Sequence, residues 1–127
     1  MRFGHTLALG CALLAQVVSA APTLRCHYTY GGETHTVSQA QHSVAAGYAI
    51  TPTPIGSYLL FRPLFEADTV KLYTYVDHPD GPVLLHQARY PYPAATRSRS
   101  RYGFTGEQRV YEPVRDSELV YWCEIAQ

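Results

Sequence analysis

Apolar and polar residues alternate along several short stretches of the chain, and this period of two is typical of β-strands with one buried face. The first stretch, residues 24–30, has four residues on its apolar face: Leu24, Cys26, Tyr28 and Tyr30. The same alternation recurs in residues 69–76 and in residues 118–125. We therefore predict a half-buried strand at each of these three positions.

Gly31 and Gly32 separate the first strand from a second β-prone stretch, residues 33–37. Two glycines between such stretches indicate a hairpin, because the tight primed turns need positive φ at both central residues. A two-residue turn sets the register: Tyr30 faces Glu33, Tyr28 faces His35, His27 faces Thr36 and Cys26 faces Val37.

Turn residues divide the remaining sequence into further elements. Strands are predicted over residues 58–61, 83–90 and 108–112, the last closing a hairpin with residues 118–125 over a turn at 113–116. Pro63 predicts that its strand ends at an edge or a bulge. Three weaker segments are predicted to be a loop or a single helical turn (38–42), a short edge strand (48–50) and an extended linker (51–54).

About seven strands in about 105 residues, with no convincing helix, predict an all-β fold. The expected architecture is an antiparallel immunoglobulin-like β-sandwich, and a small β-barrel is the alternative. No internal repeat and no second domain are visible, so residues 21–127 are expected to form a single β domain.

The first 20 residues have the pattern of a cleavable signal peptide. Arg2 is the positive residue, residues 6–18 are apolar and uncharged, and Val18, Ser19 and Ala20 predict cleavage after Ala20. Residues 8–11 offer an alternative, a lipobox ending at Cys11, but only ten residues precede that cysteine. We expect a periplasmic or secreted protein that does not span the membrane.

Cleavage after Ala20 leaves two cysteines, Cys26 and Cys123, near the two ends of the domain. Two cysteines in an exported domain are expected to pair, and both lie on apolar strand faces. A disulfide would therefore tie the first strand to the last. By the loop-entropy relation, closing so long a loop is worth about 4–5 kcal/mol.

Composition excludes some partners. The 127 residues include ten Lys and Arg and ten Asp and Glu, so no net positive charge favours nucleic acid. Eleven tyrosines fit a strand-rich fold. Tyr73, Tyr75, Tyr90 and Tyr92 fall on two neighbouring predicted strands, where they form either an exposed aromatic platform or part of the core.

Five histidines remain after the leader, at positions 27, 35, 42, 78 and 86. They suggest a copper or zinc carrier, but the hairpin register places His27 and His35 on opposite faces, so the two cannot share an ion. Residues 77–81 have too few oxygen ligands for a calcium loop. No nucleophile motif occurs, so we expect no catalytic residues, metal or other cofactor.

The most distinctive segment contains three arginines at alternate positions followed by two aromatics: Arg97, Arg99, Arg101, Tyr102 and Phe104. If the segment is extended, the three guanidinium groups lie on one side. Guanidinium groups bind phosphate, sulfate and carboxylate through paired hydrogen bonds. The loop is therefore the candidate contact surface for an anionic ligand or an acidic protein partner, and a solvated flexible loop is the alternative.

Several segments together resemble a group of small exported proteobacterial proteins of unknown function. They are residues 24–32, 70–75, 81–88, 103–106, 110–113 and 119–124. The resemblance spans the chain after the leader and implies a bacterial periplasmic location, but no activity and no functional residues.

The sequence thus predicts a monomeric or weakly associating exported β-sandwich that acts by binding. A periplasmic metal-handling protein using the histidines is the alternative function.

Overall fold

The computed structural model describes residues 1–4, 9–16 and 20–127, and all of its regular structure lies after Pro22. Its elements are β1 (Thr23–Tyr30), β2 (Glu33–Ala40), α1 (Val44–Gly47), β3 (Thr53–Ile55), β4 (Leu59–Phe65), β5 (Thr69–His78), β6 (Gly81–Pro91), β7 (Gln108–Glu112) and β8 (Ser117–Ala126). Residues 17–19, with most of the predicted cleavage motif, and residues 5–8 of the predicted leader lie outside the described residues. Cys11 is an exposed free thiol.

The strands form two antiparallel four-stranded sheets, with the orders β2-β1-β8-β7 and β3-β4-β5-β6. The sheets pack face to face, and a core of buried residues comes from both of them. Its largest side chains are Tyr121, Phe61, Phe65, Leu24, Ile55, Leu59, Leu72 and Leu119. The predicted β-sandwich is thereby confirmed, and the two sheets do not close into a barrel.

The predicted disulfide is also confirmed. Cys26 of β1 and Cys123 of β8 are directly opposed in the same sheet and are bonded to each other. Both residues are fully buried. The bond therefore lies in the core and ties the first strand to the last across a sequence separation of 97 residues.

The glycine hairpin has the predicted geometry. Gly31 and Gly32 both have positive φ, 62° and 81°, as a type I′ turn requires. The register pairs Tyr30 with Glu33, Tyr28 with His35, His27 with Thr36 and Cys26 with Val37. His27 and His35 therefore lie on opposite faces of the sheet, as predicted.

Three local predictions between residues 38 and 54 are wrong. Residues 38–40 continue β2, because they pair with residues 23–25 of β1. Residues 48–50 form no strand, since their amides bond back to carbonyls of residues 45–47, just after the helical turn that Ser43 caps. Part of the predicted linker is strand β3, in which Pro54 is tolerated because β3 is an edge strand bonded only to β4.

Strand β4 is buried on both faces over part of its length, because the α1 segment covers its outer side. Arg62 donates hydrogen bonds to the carbonyl oxygens of Gly47 (2.6 Å) and Ile50 (3.0 Å). His42 links the same segment to β4, since its Nε2 accepts a hydrogen bond from the Phe65 amide at 2.9 Å. Pro63 lies beyond the residues that pair with β3, which confirms the predicted edge position.

Candidate functional site

The arginine-rich segment, residues 97–104, covers an edge of β8 that β7 leaves open. β7 has five residues and reaches only as far as Tyr121, whereas β8 continues to Ala126. The amide of Phe104 donates a hydrogen bond to the Cys123 carbonyl (3.0 Å), and the Cys123 amide donates to Thr105 Oγ1 (2.9 Å). The segment is therefore held directly beside the disulfide strand.

Gly103 permits this close approach. Its φ is +61°, and a Cβ built on it would lie 2.0 Å from the Cys123 carbonyl oxygen. Its amide bonds to the Ser100 carbonyl (3.0 Å), and the Ser100 hydroxyl donates to the Gly103 carbonyl (2.8 Å). A residue with a side chain cannot occupy this position without displacing the segment from β8.

The two aromatic residues of the predicted contact loop pack against the protein. The ring of Phe104 meets Tyr90 edge to face, with centroids 5.2 Å apart, and lies against the core. The ring of Tyr102 meets Trp122 in the same manner at 6.2 Å. Both rings are half-buried. Their contacts anchor the segment, so the side chains left for a ligand are the arginines.

Arg97, Arg99 and Arg101 are all exposed, but they do not form one straight row. The chain turns at residues 101–102, next to the bridge between Ser100 and Gly103. Arg101 lies over the ring of Tyr102, 5.2 Å from its centroid. The turn breaks the extended segment that three aligned guanidinium groups would need, so the expected single row is not formed.

Two small clefts flank Arg99. One, of about 160 Å³, is lined by Tyr92, Pro93, Thr96, Arg97, Ser98, Arg99, Ile125 and Gln127. The other, of about 150 Å³, is lined by Ser98, Arg99, Ser100, Gly103, Trp122, Glu124 and Ile125. Ser98, Arg99 and Ile125 border both clefts. The site therefore combines two guanidinium groups, serine hydroxyls and an apolar wall from the end of β8.

The guanidinium groups at these clefts have no acidic partner. Among residues 1–4, 9–16 and 20–127, neither Arg97 nor Arg99 makes an ion pair or a side-chain hydrogen bond. Glu124 borders the second cleft, but its carboxylate lies 2.8 Å from Nε2 of His27. The charge of the two arginines is thus available to a bound anion.

His27 organises the neighbouring outer surface of the sheet. Its Nδ1 lies 3.0 Å from the Thr36 hydroxyl on β2, and its Nε2 contacts Glu124 on β8. Its ring stacks on Trp122 with centroids 4.1 Å apart. Both ring nitrogens therefore link neighbouring strands, and Trp122 is held between His27 and the arginine-rich segment.

The other histidines are dispersed over the fold. His35 stacks on Tyr28, His42 bonds to β4, His78 Nδ1 accepts a hydrogen bond from the Asp80 amide (3.2 Å), and His86 pairs with Thr74. In the part of the chain that the structure describes, no three His, Cys, Asp or Glu residues are grouped as metal ligands would be.

The four tyrosines of the predicted aromatic face are divided between two environments. Tyr90 and Tyr92 pack against the core. Tyr73 and Tyr75 lie on the opposite face of β5, where they stack with centroids 6.1 Å apart. A single platform of four rings is therefore not formed.

A third cleft, of about 300 Å³, opens between the β1–β2 hairpin and β3. Tyr28, Tyr30 and Ile55 line it together with Glu33 and His35, whose side chains lie 3.2 Å apart. Its lining contains a carboxylate and no Lys or Arg, so this cleft is less suited to an anion than the two clefts beside Arg99.

The sequence did not single out Trp122, Glu124 or Ser98 as site residues. Alternation along β8 placed Trp122 away from the core, but that signal does not show which loop lies over it. No protein-family model, curated protein or solved structure matches this chain. In the described residues no helix is long and apolar enough to cross a bilayer.

Proposed function

We propose that this protein is an exported, non-catalytic binding module that holds an anionic group of a larger ligand at Arg97 and Arg99. The observation that carries the proposal is the pair of exposed guanidinium groups that have no acidic partner in the described part of the chain and lie beside two clefts of the β-sandwich. Function is commonly located on loops of such scaffolds. Arg101 is exposed next to them and extends the positive surface.

The proposed location is the bacterial periplasm, after removal of residues 1–20. A fully buried disulfide fits an extracellular or periplasmic protein, because the cytosol keeps thiols reduced. The resemblance to small exported proteobacterial proteins supports the same compartment. Sequencing the N-terminus of the protein recovered from the periplasm tests this part, and the expected first residue is Ala21.

The size of the clefts indicates how much of the ligand is enclosed. Each cleft, at about 160 or 150 Å³, has room for roughly five water molecules at ~30 Å³ each. Ligand pockets for whole small molecules measure about 300–1,000 Å³. We expect a phosphate, sulfate or carboxylate group to enter, while the rest of the ligand extends over Ile125 and Trp122.

Binding is tested with three probes: inorganic phosphate, heparin as a sulfated glycan, and vesicles containing phosphatidylglycerol. The test variant is Arg97→Ser/Arg99→Ser. The matched control is Arg89→Ser/Arg115→Ser, which removes the same charge from the outer face of the other sheet and from the β7–β8 turn. Hydrogen bonds to charged groups are worth about 1.5–3 kcal/mol each, so the test variant should bind at least ~10-fold more weakly.

The control should bind the same probe as tightly as the wild type, and added salt should weaken wild-type binding. Equal loss in both variants would mean that only net charge matters. Unchanged binding in the test variant would refute the assignment to Arg97 and Arg99. Thermal unfolding of each variant shows whether the fold is intact.

A further inference from the structure

Strand β2 is a long edge strand without the features that protect other edges. It has eight residues, pairs with β1 on one side only, and shows no register shift. It contains no Pro, Lys or Arg. Natural proteins usually protect such an edge with one of these devices, because its unpaired amides and carbonyls are a template for another strand.

The other three edge strands differ from β2 in these respects. β3 has three residues and contains Pro54. β6 contains Pro82 and Pro91 and has one extra residue, Leu85, where its register with β5 shifts. β7 has five residues and is followed by Pro113. Within the described residues, β2 is thus the edge best suited to pairing with a further strand.

The backbone groups that point outward from β2 follow from the turn. In a two-residue hairpin, Tyr30 and Glu33 form the closing hydrogen-bonded pair, so the odd-numbered residues of β2 bond to β1. The Cα atoms of Cys26 and Cys123 are 4.1 Å apart, which is the spacing of a non-hydrogen-bonded pair. The backbone amide and carbonyl of Cys26 therefore bond to Val37 of β2, which is the pairing that the turn geometry requires. The outward groups belong to Thr34, Thr36, Ser38 and Ala40.

We propose that β2 is a dimerisation edge that pairs antiparallel with β2 of a second copy, on a two-fold axis at Val37. In this register Thr34 faces the partner's Ala40, and Thr36 faces the partner's Ser38. Every outward amide and carbonyl of the four residues is then used, in about eight hydrogen bonds. A two-fold axis at Thr36 instead would leave the groups of Ala40 unpaired.

The side chains of β2 are complementary to themselves in this register. Val37 meets the partner's Val37 on the face that continues the core, His35 meets the partner's Gln39, and Glu33 meets the partner's Gln41. No like charges are opposed, which is the main obstacle to pairing identical strands. The small side chains of the other face allow close approach, and two-fold dimers are the commonest assembly of identical chains. The occupant is therefore a second copy of the chain.

The test is sedimentation velocity of the purified, oxidised protein over a concentration series, with Ser38→Pro as the test variant and Ser38→Ala as its matched control. The Ser38 amide points away from β1, so proline removes a donor to the partner without breaking the β1–β2 ladder. The alanine variant keeps that amide. Wild type and Ser38→Ala should dimerise equally, and Ser38→Pro should raise the dimer dissociation constant at least ~10-fold.

Circular dichroism and thermal unfolding confirm that each variant is folded. If Ser38→Pro does not fold, Thr34→Pro and Thr34→Ala repeat the comparison at another outward residue. A wild type that stays monomeric across the series overturns the proposal, confirms the monomer expected from the sequence and leaves the edge to an extended segment of another protein. A dimer that survives proline substitution overturns it too, since the contact is then elsewhere. Neither result depends on anion binding at the arginines.

Discussion

Replacing Tyr121 by phenylalanine should stabilise the protein. Tyr121 is 1% exposed, and its ring packs on Phe61 in the centre of the core, with centroids 4.9 Å apart. Its hydroxyl is buried and has no hydrogen-bond partner among the described residues. The substitution removes this single polar atom and keeps the ring that fills the space between the sheets.

The size of the effect follows from two opposing contributions. A buried hydroxyl without a partner costs about 1–3 kcal/mol. The small void that the missing oxygen leaves in the variant is destabilising by a few tenths of a kcal/mol. The free energy of unfolding at pH 7 should therefore rise by about 1–2 kcal/mol, and the midpoint of thermal unfolding by roughly 4–8 °C.

The same substitution should change the response to alkaline pH. Burial raises the pKa of Tyr121 far above its ordinary value, and the neighbouring Tyr90 raises it further. In the unfolded chain the phenol loses its proton near pH 10, whereas the folded protein retains it. The neutral phenol is thus compatible with folding below pH 10, and stability falls as the pH rises above 10. At pH 11 this loss is about 1.4 kcal/mol for one phenol, and Tyr121→Phe should be spared it.

Urea unfolding at pH 7 and at pH 11 measures both effects. Tyr75→Phe is the matched control, because Tyr75 lies half-exposed on the outer face of β5 and should change stability by less than about 0.5 kcal/mol. A Tyr121→Phe protein less stable than wild type at pH 7 would show that the hydroxyl makes a net favourable interaction. If Tyr121→Phe loses as much free energy of unfolding between pH 7 and pH 11 as the wild type does, the argument from burial of the phenol is refuted.

Two further substitutions test the contacts that shape the ends of β7 and β8. The fully buried carboxylate of Glu112 accepts hydrogen bonds from the amides of Val114 (2.7 Å) and Arg115 (3.0 Å), so Glu112→Ala should lower the free energy of unfolding in urea by about 2–4 kcal/mol. The control Glu118→Ala removes an exposed ion pair and should lower it by less than about 1 kcal/mol. Equal losses in the two variants would contradict the proposed role of Glu112 in holding the turn. Gly103→Ala should cost about 2–5 kcal/mol, because it adds positive-φ strain to a clash with backbone; a near-neutral result would contradict the close approach to β8.

Strand positions and their pairing were predictable where local chemistry determines them. Alternation identified β1, β5 and β8, because a sheet with one solvent face requires a period of two. Gly31 and Gly32 determined the register of the first hairpin, since few other residues adopt positive φ at both positions. The disulfide followed from two cysteines on apolar faces near the chain ends. These features depend on residues close in sequence or on simple counting.

The errors arose where distant contacts outweigh local preference. Residues 38–40 include no β-branched or aromatic side chain, yet they form strand because β1 is long enough to pair with them. Pro54 signals a linker locally, but the free edge of β4 makes a strand possible there. In both places the tertiary neighbour supplies the hydrogen bonds.

Some features of the candidate site were likewise predictable from the sequence, and others depended on tertiary contacts. The sequence alone determined that three arginines and two aromatics lie in one loop, and that Trp122 lies on the face of β8 opposite Cys123. Only the tertiary structure decided that Phe104 and Tyr102 face the protein, and that Arg97 and Arg99 border two clefts. The physical reason is that β7 is five residues shorter than β8, so the loop must satisfy the free backbone groups at Cys123. No local pattern in residues 97–104 contains that information.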